Sequence, residues 1–353
     1  MIVKLRDLGH RVIIASLHDE FTDRLIDMDF EFVELKELQP LNKGLFNNIK
    51  LLLEYHRLFK NNRPDMVLSF TVKPNIFSGL ASRFKEISFY PTLTGLGSLF
   101  IKSQQPTLGL KGLYKSALKN AKKVIFHNED DKDKLVEFGY IQNSQTEIIP
   151  GSGVDEIKFY YNTISHKIPF RFLCVSRLIN EKGVDLFIAA STKMLQLYPE
   201  INLEFRLLGS INPKDPRSIN PQVLSEWSSL DHCEYGGFVE EINDEIREAT
   251  VFVLPSLREG MPRAVLESMS VGRPVITTNV PGCRQVMKDS AKGNGNGFVI
   301  PSSDSTALID AMHKMTMMSI DQLNEMGKEG RLMIEEKYNV ATIVDMYEKV
   351  LEL

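Results

Sequence analysis

The chain has little cysteine, a single tryptophan and no long apolar run. Its three cysteines, Cys174, Cys233 and Cys283, are scattered through 353 residues and odd in number. That argues against a disulfide framework or a thiolate metal site and for buried thiols in a reducing cytoplasm. No apolar stretch approaches the roughly 18 residues of a spanning helix. The first residues, Met1-Ile2-Val3-Lys4-Leu5-Arg6, turn charged at once, so no secretory leader is expected. No GxSxG, HExxH or P-loop pattern occurs. Repeats, low-complexity tracts and basic-aromatic surfaces suited to nucleic acid are also missing. Charge of neither sign dominates: 42 Lys and Arg meet 46 Asp and Glu, a net −4. The residues through Ser165 carry +2 and the remainder −6, so an anionic surface would be met by the first half.

What is present is ordinary globular material, 43% hydrophobic and 25% charged, in a chain long enough for two domains. Apolar strand runs alternate with helical stretches throughout, which predicts doubly wound α/β domains. The most informative stretch is Val251 to Gly282. Val251-Phe252-Val253-Leu254 reads as a buried parallel strand, Pro255-Ser256 ends it, and a short loop leads to Pro262 as the first helical residue. Gly272 stops that helix, and Val275-Ile276-Thr277-Thr278 is the next strand. The unit is βαβ, and its first loop lies where open α/β sheets bind ligands. The helix mouth offers free N–H groups to an anion such as a diphosphate. Glu259 in the loop and Glu267 inside the helix are not anion ligands; carboxylates there suit hydroxyls, such as those of a hexose and a ribose. Gly260 permits close backbone approach. Met261 and Arg263 join it as donor-lining candidates.

Arg177 and Lys182 follow the strand Phe170–Val175, where they could neutralise a diphosphate. Gly209 ends the strand that begins at Leu203, and Ile211 to Pro221 is a polar insertion. In the first half, two loops at strand ends are acceptor-side candidates: Thr71 to Asn75, with Lys73 and Asn75, and Thr94 to Ser98, with Thr94, Gly95 and Gly97. The first of these is expected to precede a helix starting at Ile76. A helix over Leu45–Lys60 is expected to carry Leu45, Ile49, Leu52, Leu53, His56 and Phe59 on one face, with His56 packed or half-exposed rather than catalytic. Leu108–Lys123 reads as an amphipathic helix. Leu110, Leu113, Ala117, Leu118 and Ala121 oppose Lys111, Lys115, Lys119, Lys122 and Lys123, a face suited to an anionic membrane surface. Asn128 with Glu129, Asp130 and Asp131 reads as a capped helix start, not a metal site.

The pattern REGMPRAVLESMSVGRPVI, from Arg258 to Ile276, resembles the signature of the family 4 retaining glycosyltransferases. Pro281 to Val286, Asn296 to Pro301, the R-x-x-x-x-KG spacing of Arg177 to Gly183 and PGSGVD from Pro150 extend the likeness. TVKPN and TGLGS resemble the branch that builds capsules, O-antigens and lipid-linked glycans. The resemblance implies the GT-B fold, two Rossmann-like domains facing across a cleft. Residues 1–165 would bind the acceptor, 166–337 the nucleotide sugar, and the helix 338–353 would cross back. It further implies that the first strand of the first domain is absent, and that the many relatives' donor-side His has no counterpart here. By the same resemblance Glu259 contacts the donor sugar, Glu267 the ribose, and Phe238 and Val239 frame the base. The implied activity is retaining transfer of a hexose or N-acetylhexosamine from a sugar nucleotide, UDP-linked, to a sugar hydroxyl on a lipid-linked precursor. No metal or other cofactor is called for. The enzyme is expected in the cytoplasm, peripheral at the inner membrane face. The alternatives are a glycogen- or sucrose-type transferase, an epimerase of the same fold, or a nucleotide-sugar-binding subunit without turnover.

Overall fold

The computed structural model describes every residue except 40–43, 84–85, 97–107, 167 and 231–232, and no side chain at 45, 108–111 or 292. Gly97, Ser98 and the side chains of Leu110 and Lys111 therefore lie outside the described residues. Two compact units are present: Met1–Ile149 with Val344–Leu353, and Pro150–Ile343.

The first unit contains β1 (Ile13–Ser16), β2 (Glu31–Glu34), β3 (Met66–Phe70), β4 (Ser88–Leu93), β5 (Val124–Phe126) and β6 (Thr146–Ile148). Its helices are α1 (Ile2–Asp7), α2 (Thr22–Asp27), α3 (Leu45–Asn62), α4 (Val72–Ser82), α5 (Leu108–Leu118) and α6 (Glu129–Glu137). All strand pairs are parallel, but they form two sheets, β1-β2 and β3-β4-β5-β6. Neither β1 nor β3 has a described partner on its second edge. Both are correspondingly half-exposed along most of their length, although their residues are apolar, whereas β4 and β5, paired on both edges, are almost wholly buried. Ala15 of β1 and Val67 of β3 nevertheless pack on one core with Leu51, Tyr55 and Phe59 of α3. Asn128 caps α6 as expected, its side chain accepting from the Asp131 N–H at 2.8 Å.

The face of α3 differs from the expected one. Leu51, Tyr55 and Phe59 are buried, while Ile49 and Leu53 are about half exposed. The helix is apolar on two sides, so periodicity alone could not tell which side the core would take. His56 is packed, its Nδ1 3.1 Å from the Leu52 carbonyl oxygen.

The second unit contains β7 (Phe170–Val175), β8 (Leu203–Leu208), β9 (Cys233–Tyr235), β10 (Val251–Leu254), β11 (Val275–Thr278) and β12 (Gly297–Ile300). Its helices are α7 (Val184–Leu197), α8 (Pro221–Ser228), α9 (Asn243–Glu248), α10 (Arg263–Val271), α11 (Ser305–Met317) and α12 (Ile320–Met333). The last helix, α13 (Val340–Leu351), begins here and ends in the first unit, where Tyr347 is buried with its hydroxyl 3.4 Å from Thr92 Oγ1. The sheet is one piece, ordered β12-β11-β10-β7-β8-β9 and parallel throughout. Strand order reverses between β7 and β10, which is the switch point of a doubly wound sheet.

The second unit begins at Pro150 rather than at His166. Residues 150–165 are stitched into it. Val154 pairs with Asn339, Ser270 Oγ donates to the Phe159 carbonyl at 2.7 Å, and the Asn162 N–H donates to that of Val271. Asn324 clasps the backbone of Ile164 through both its amide atoms. Fully buried Arg273 holds Asn162 Oδ1 at 2.9 Å.

Candidate active site

Two loops leave the sheet at the switch point, one after β7 and one after β10. They touch closely. A Cβ on Gly183, whose φ is +65°, would sit 2.1 Å from the Pro255 carbonyl oxygen, and the Leu257 N–H donates to the Glu181 carbonyl at 2.9 Å. This contact brings Lys182 and Glu259 together. Lys182 Nζ lies 2.5 Å from Glu259 Oε1, and Ser256 Oγ donates to the same oxygen at 2.8 Å. Both side chains are largely shielded, at 16% and 7% exposure, so the pair is held in a low-dielectric pocket where partner loss is expensive. Thr278 Oγ1 fixes the backbone of Ser256, and Thr277 Oγ1 donates to the Leu254 carbonyl at 2.8 Å. Gly282 packs on the loop from the other side, with Gly260 and Glu259 backbone oxygens within 3.0 Å of where its Cβ would be. Cys283 lies close enough to Glu259 to feel its charge, and burial pushes its thiol up to about 12, so it stays protonated.

Pro262 caps α10 rather than starting it. Its ψ of 93° is extended, no side chain caps the helix, and the helix runs from Arg263. Gly272 closes it at φ +88° as expected. Glu267 is buried within α10 and accepts from Arg263 Nε at 2.7 Å. Burial raises its pKa; Arg263, and more weakly Lys158, pull it back. Glu267 and Lys182–Glu259 thus form two separate carboxylate centres on one loop-helix unit.

Arg177 is exposed and forms no ion pair or side-chain hydrogen bond among the described residues. Its charge reaches Asp215. Asp215 belongs to the polar insertion, which runs beside the Arg177–Lys182 loop. Ile179 and Ser218 form an antiparallel bridge, and Arg217 grips Asp215 through Nε and Nη2 while reaching Glu181. The Arg217 hydrogen bond holds the Asp215 carboxyl down at about 2. Gly209, at φ +145°, lets the end of β8 pass the end of β7: a Cβ there would lie 1.8 Å from the Ser176 carbonyl oxygen. Its N–H donates to the Gly237 carbonyl, and the neighbouring Phe238 is 65% exposed while Val239 packs partly on the core. Met261 and Gly260 are half-buried at the helix mouth.

The first-unit candidates fall differently. Lys73 and Asn75 are in the first turns of α4, not on a loop, because Thr71 adopts φ +70° and the helix begins at Val72. Asn75 is buried and its amide ties two strands together, accepting from Ser69 Oγ at 2.6 Å and donating to the Thr92 carbonyl at 2.9 Å. Lys73 donates to the Gln39 carbonyl, and partial burial lowers its pKa. Thr94 and Gly95 follow β4, Gly95 at φ +147°. Sequence reasoning did not single out Ser256, Thr278, Cys283, Asp215 or Arg217 as site residues. The only signal for Ser256 was its place three residues before Glu259. Among the described residues no three His, Cys, Asp or Glu side chains cluster as a metal ion would need.

Two family models match the chain: a glycosyl transferase 4-like model over residues 1–128 and a glycosyl transferases group 1 model over 169–317. A Campylobacter jejuni N,N'-diacetylbacillosaminyl-diphospho-undecaprenol alpha-1,3-N-acetylgalactosaminyltransferase is 25% identical, over 83% of this chain and 79% of its own. An Escherichia coli UDP-Gal:alpha-D-GlcNAc-diphosphoundecaprenol alpha-1,3-galactosyltransferase is 27% identical, over 86% and 79%. Among solved structures, Anabaena HepE in complex with UDP and glucose superposes with a TM-score of 0.80 at 18% identity, covering 99% of this chain and 94% of that one.

Proposed function

Because the chain is a glycosyltransferase of the GT-B fold, with a 4-like first half and a group 1 second half, we propose that it moves a hexose or N-acetylhexosamine from a UDP-sugar to a sugar hydroxyl of a lipid-diphosphate-linked glycan, with retention. The carrying observation is the Lys182–Glu259 pair at the switch point. A bound diphosphate competes for the Lys182 ammonium. Glu259 is then released to accept hydrogen bonds from hexose hydroxyls, still held in place by Ser256. Arg177, exposed and uncommitted, adds a bidentate cation. The uncapped N-terminus of α10 adds partial positive charge where negative charge grows on the departing diphosphate. Glu267 takes the ribose hydroxyls, and exposed Phe238 with Val239 borders the base. The two relatives named for diphospho-undecaprenol acceptors support the lipid-linked acceptor.

The test is turnover of a panel of UDP-sugars on a short-chain prenyl-diphosphate sugar, with the product's anomeric configuration read by NMR. Inversion at the anomeric carbon, or no product with any UDP-sugar, counts against the proposal. Glu267→Gln should raise the donor KM with little change in kcat, because a ribose contact is equal in ground and transition states. Glu259→Gln should lower kcat more, because the sugar loses its alignment.

The two-piece sheet of the first unit favours a second reading, a chain that binds the donor without turning it over. UDP binding by calorimetry, with no product formed, would select it.

A further inference from the structure

Large apolar side chains in the open are normal singly and informative in rows. The outer face of α3 carries such a row. Phe46 is 70% exposed, Ile49 49% and Leu53 50%, at spacings that place them on one side of the helix. The same side continues with Lys50, Arg57 and Lys60, all exposed. At 3.6 residues per turn these six fall within an arc of roughly 120°. No acidic residue of α3 lies on that arc, although Glu37, from the segment before α3, reaches Lys50 Nζ at 3.8 Å. Glu54 is turned aside, its carboxylate accepting from the backbone N–H groups of Lys36 and Glu37. Lys50 Nζ sits 5.0 Å from the centre of the Phe46 ring, so cation and aromatic are presented together. The opposite face, Leu51, Tyr55 and Phe59, already fills the core, so the outer row is surplus to folding.

We infer that this face of α3 docks on an anionic phospholipid bilayer, with Phe46, Ile49 and Leu53 entering the headgroup boundary and Lys50, Arg57 and Lys60 meeting lipid phosphates. Charge decides between occupants. A second copy of the chain laid on this face by a two-fold axis would bring Arg57 and Lys60 against a like-charged face, with Lys50 already shared with Glu37. A bilayer rich in phosphatidylglycerol complements Arg57 and Lys60 and competes with Glu37 for Lys50. The inference rests on the proposed lipid-linked acceptor, which has to be met at a membrane, and it moves the membrane contact from the Lys face of α5 to α3.

The test is flotation of the full-length chain with phosphatidylglycerol/phosphatidylethanolamine vesicles and with phosphatidylcholine vesicles. Anionic vesicles should carry the protein, and 0.5 M salt should release most of it, because surface charge pairs are screened within about 3–10 Å at such strengths. The triple variant Phe46→Ser/Ile49→Ser/Leu53→Ser should lose at least tenfold in vesicle affinity, as should Lys50→Gln/Arg57→Gln/Lys60→Gln. Lys115→Gln/Lys119→Gln/Lys122→Gln, at the end of α5 and just beyond it, should stay within twofold. Affinity for UDP and turnover of a water-soluble acceptor should hold in all three. Wild-type protein that fails to float, or α3 variants that float as wild type does, overturns the inference. So does a wild-type dimer in light scattering that the apolar triple variant abolishes, since the face then belongs to a second copy. Flotation without any turnover would sink the proposed reaction and leave the docking face standing.

Discussion

The two units are built from the same kind of strand yet treat it differently. In the second, β7, β10 and β11 each have a neighbour on both sides, and their residues are buried almost without interruption. In the first, β1 and β3 carry equally apolar runs but each has one edge unpaired among the described residues, and both remain half-exposed. An apolar run therefore states what a strand could bury, whereas its neighbours determine what it does bury. The same contrast extends to the candidate residues. In the second unit Lys182 and Glu259 meet where two loops leave a continuous sheet. The candidates of the first are partly spent on holding strands together, Asn75 most plainly.

The largest expected effect tests whether the continuous sheet has any slack. Gly209→Ala puts a methyl group 1.8 Å from a backbone oxygen and at φ +145°, so the second unit should lose most of its stability. The chain's single tryptophan, Trp227 in α8, reports that unit in urea titrations followed by fluorescence. The counterpart in the first unit is Gly139→Ala, at φ +67° with nothing within 4 Å. It should cost only the 1–2 kcal/mol or so of a left-handed residue. Equal losses would erase the distinction drawn between the units.

Next in size is the shielded pair. Lys182→Met strands the Glu259 carboxylate and should cost the second unit about 3–5 kcal/mol. Adding Glu259→Gln should restore most of that stability, but not turnover. If the double variant is as unstable as the single, the pair is not the reason.

Arg177→Ala should leave the Trp227 transition where it is, since the side chain is exposed and unpaired among the described residues. It should still weaken UDP binding by about 1.5–3 kcal/mol, tenfold or more by calorimetry. Unchanged affinity would remove Arg177 from the donor site.

The smallest effect is graded by pH and belongs to the first unit. His127, at the end of β5, has its pKa lowered by burial to about 4, against 6.5 for a free imidazole. As pH falls through this window the unfolded chain takes up the proton first. Stability is therefore full above about 6.5 and declines toward 4. The first unit's transition, followed by circular dichroism, should move to lower urea between pH 7 and 4.5 than Trp227 reports. His127→Gln should abolish the extra shift.

Much of the second unit was legible in the sequence because its signals are local. Val251–Leu254, the Glu259 loop and the Gly272 stop can each be read from a few consecutive residues. The exact helix start could not, since Pro262 suits either side of the boundary. Other features rest on contacts far apart in the chain. The support of Glu259 by Lys182 comes from 77 positions away, and Asn75 spans to Thr92. Thr71 is another case: a β-branched residue at positive φ is disfavoured locally, so only the surrounding packing fixes the early start of α4. The outward face of α3 was misread because a helix apolar on both sides has two candidate cores.

The split assignment of α13 bears on how the protein is made. The first unit includes Val344–Leu353, and all of Pro150–Ile343 is synthesised between Ile149 and those residues. At about 5–20 residues per second that interval lasts on the order of 10–40 s. During it the nascent first unit has no Tyr347 to cover Thr92, while the second unit already has its whole sheet. The order of completion is then the reverse of the order of synthesis. The half begun first is the half finished last, and it is the one a chaperone would have to guard.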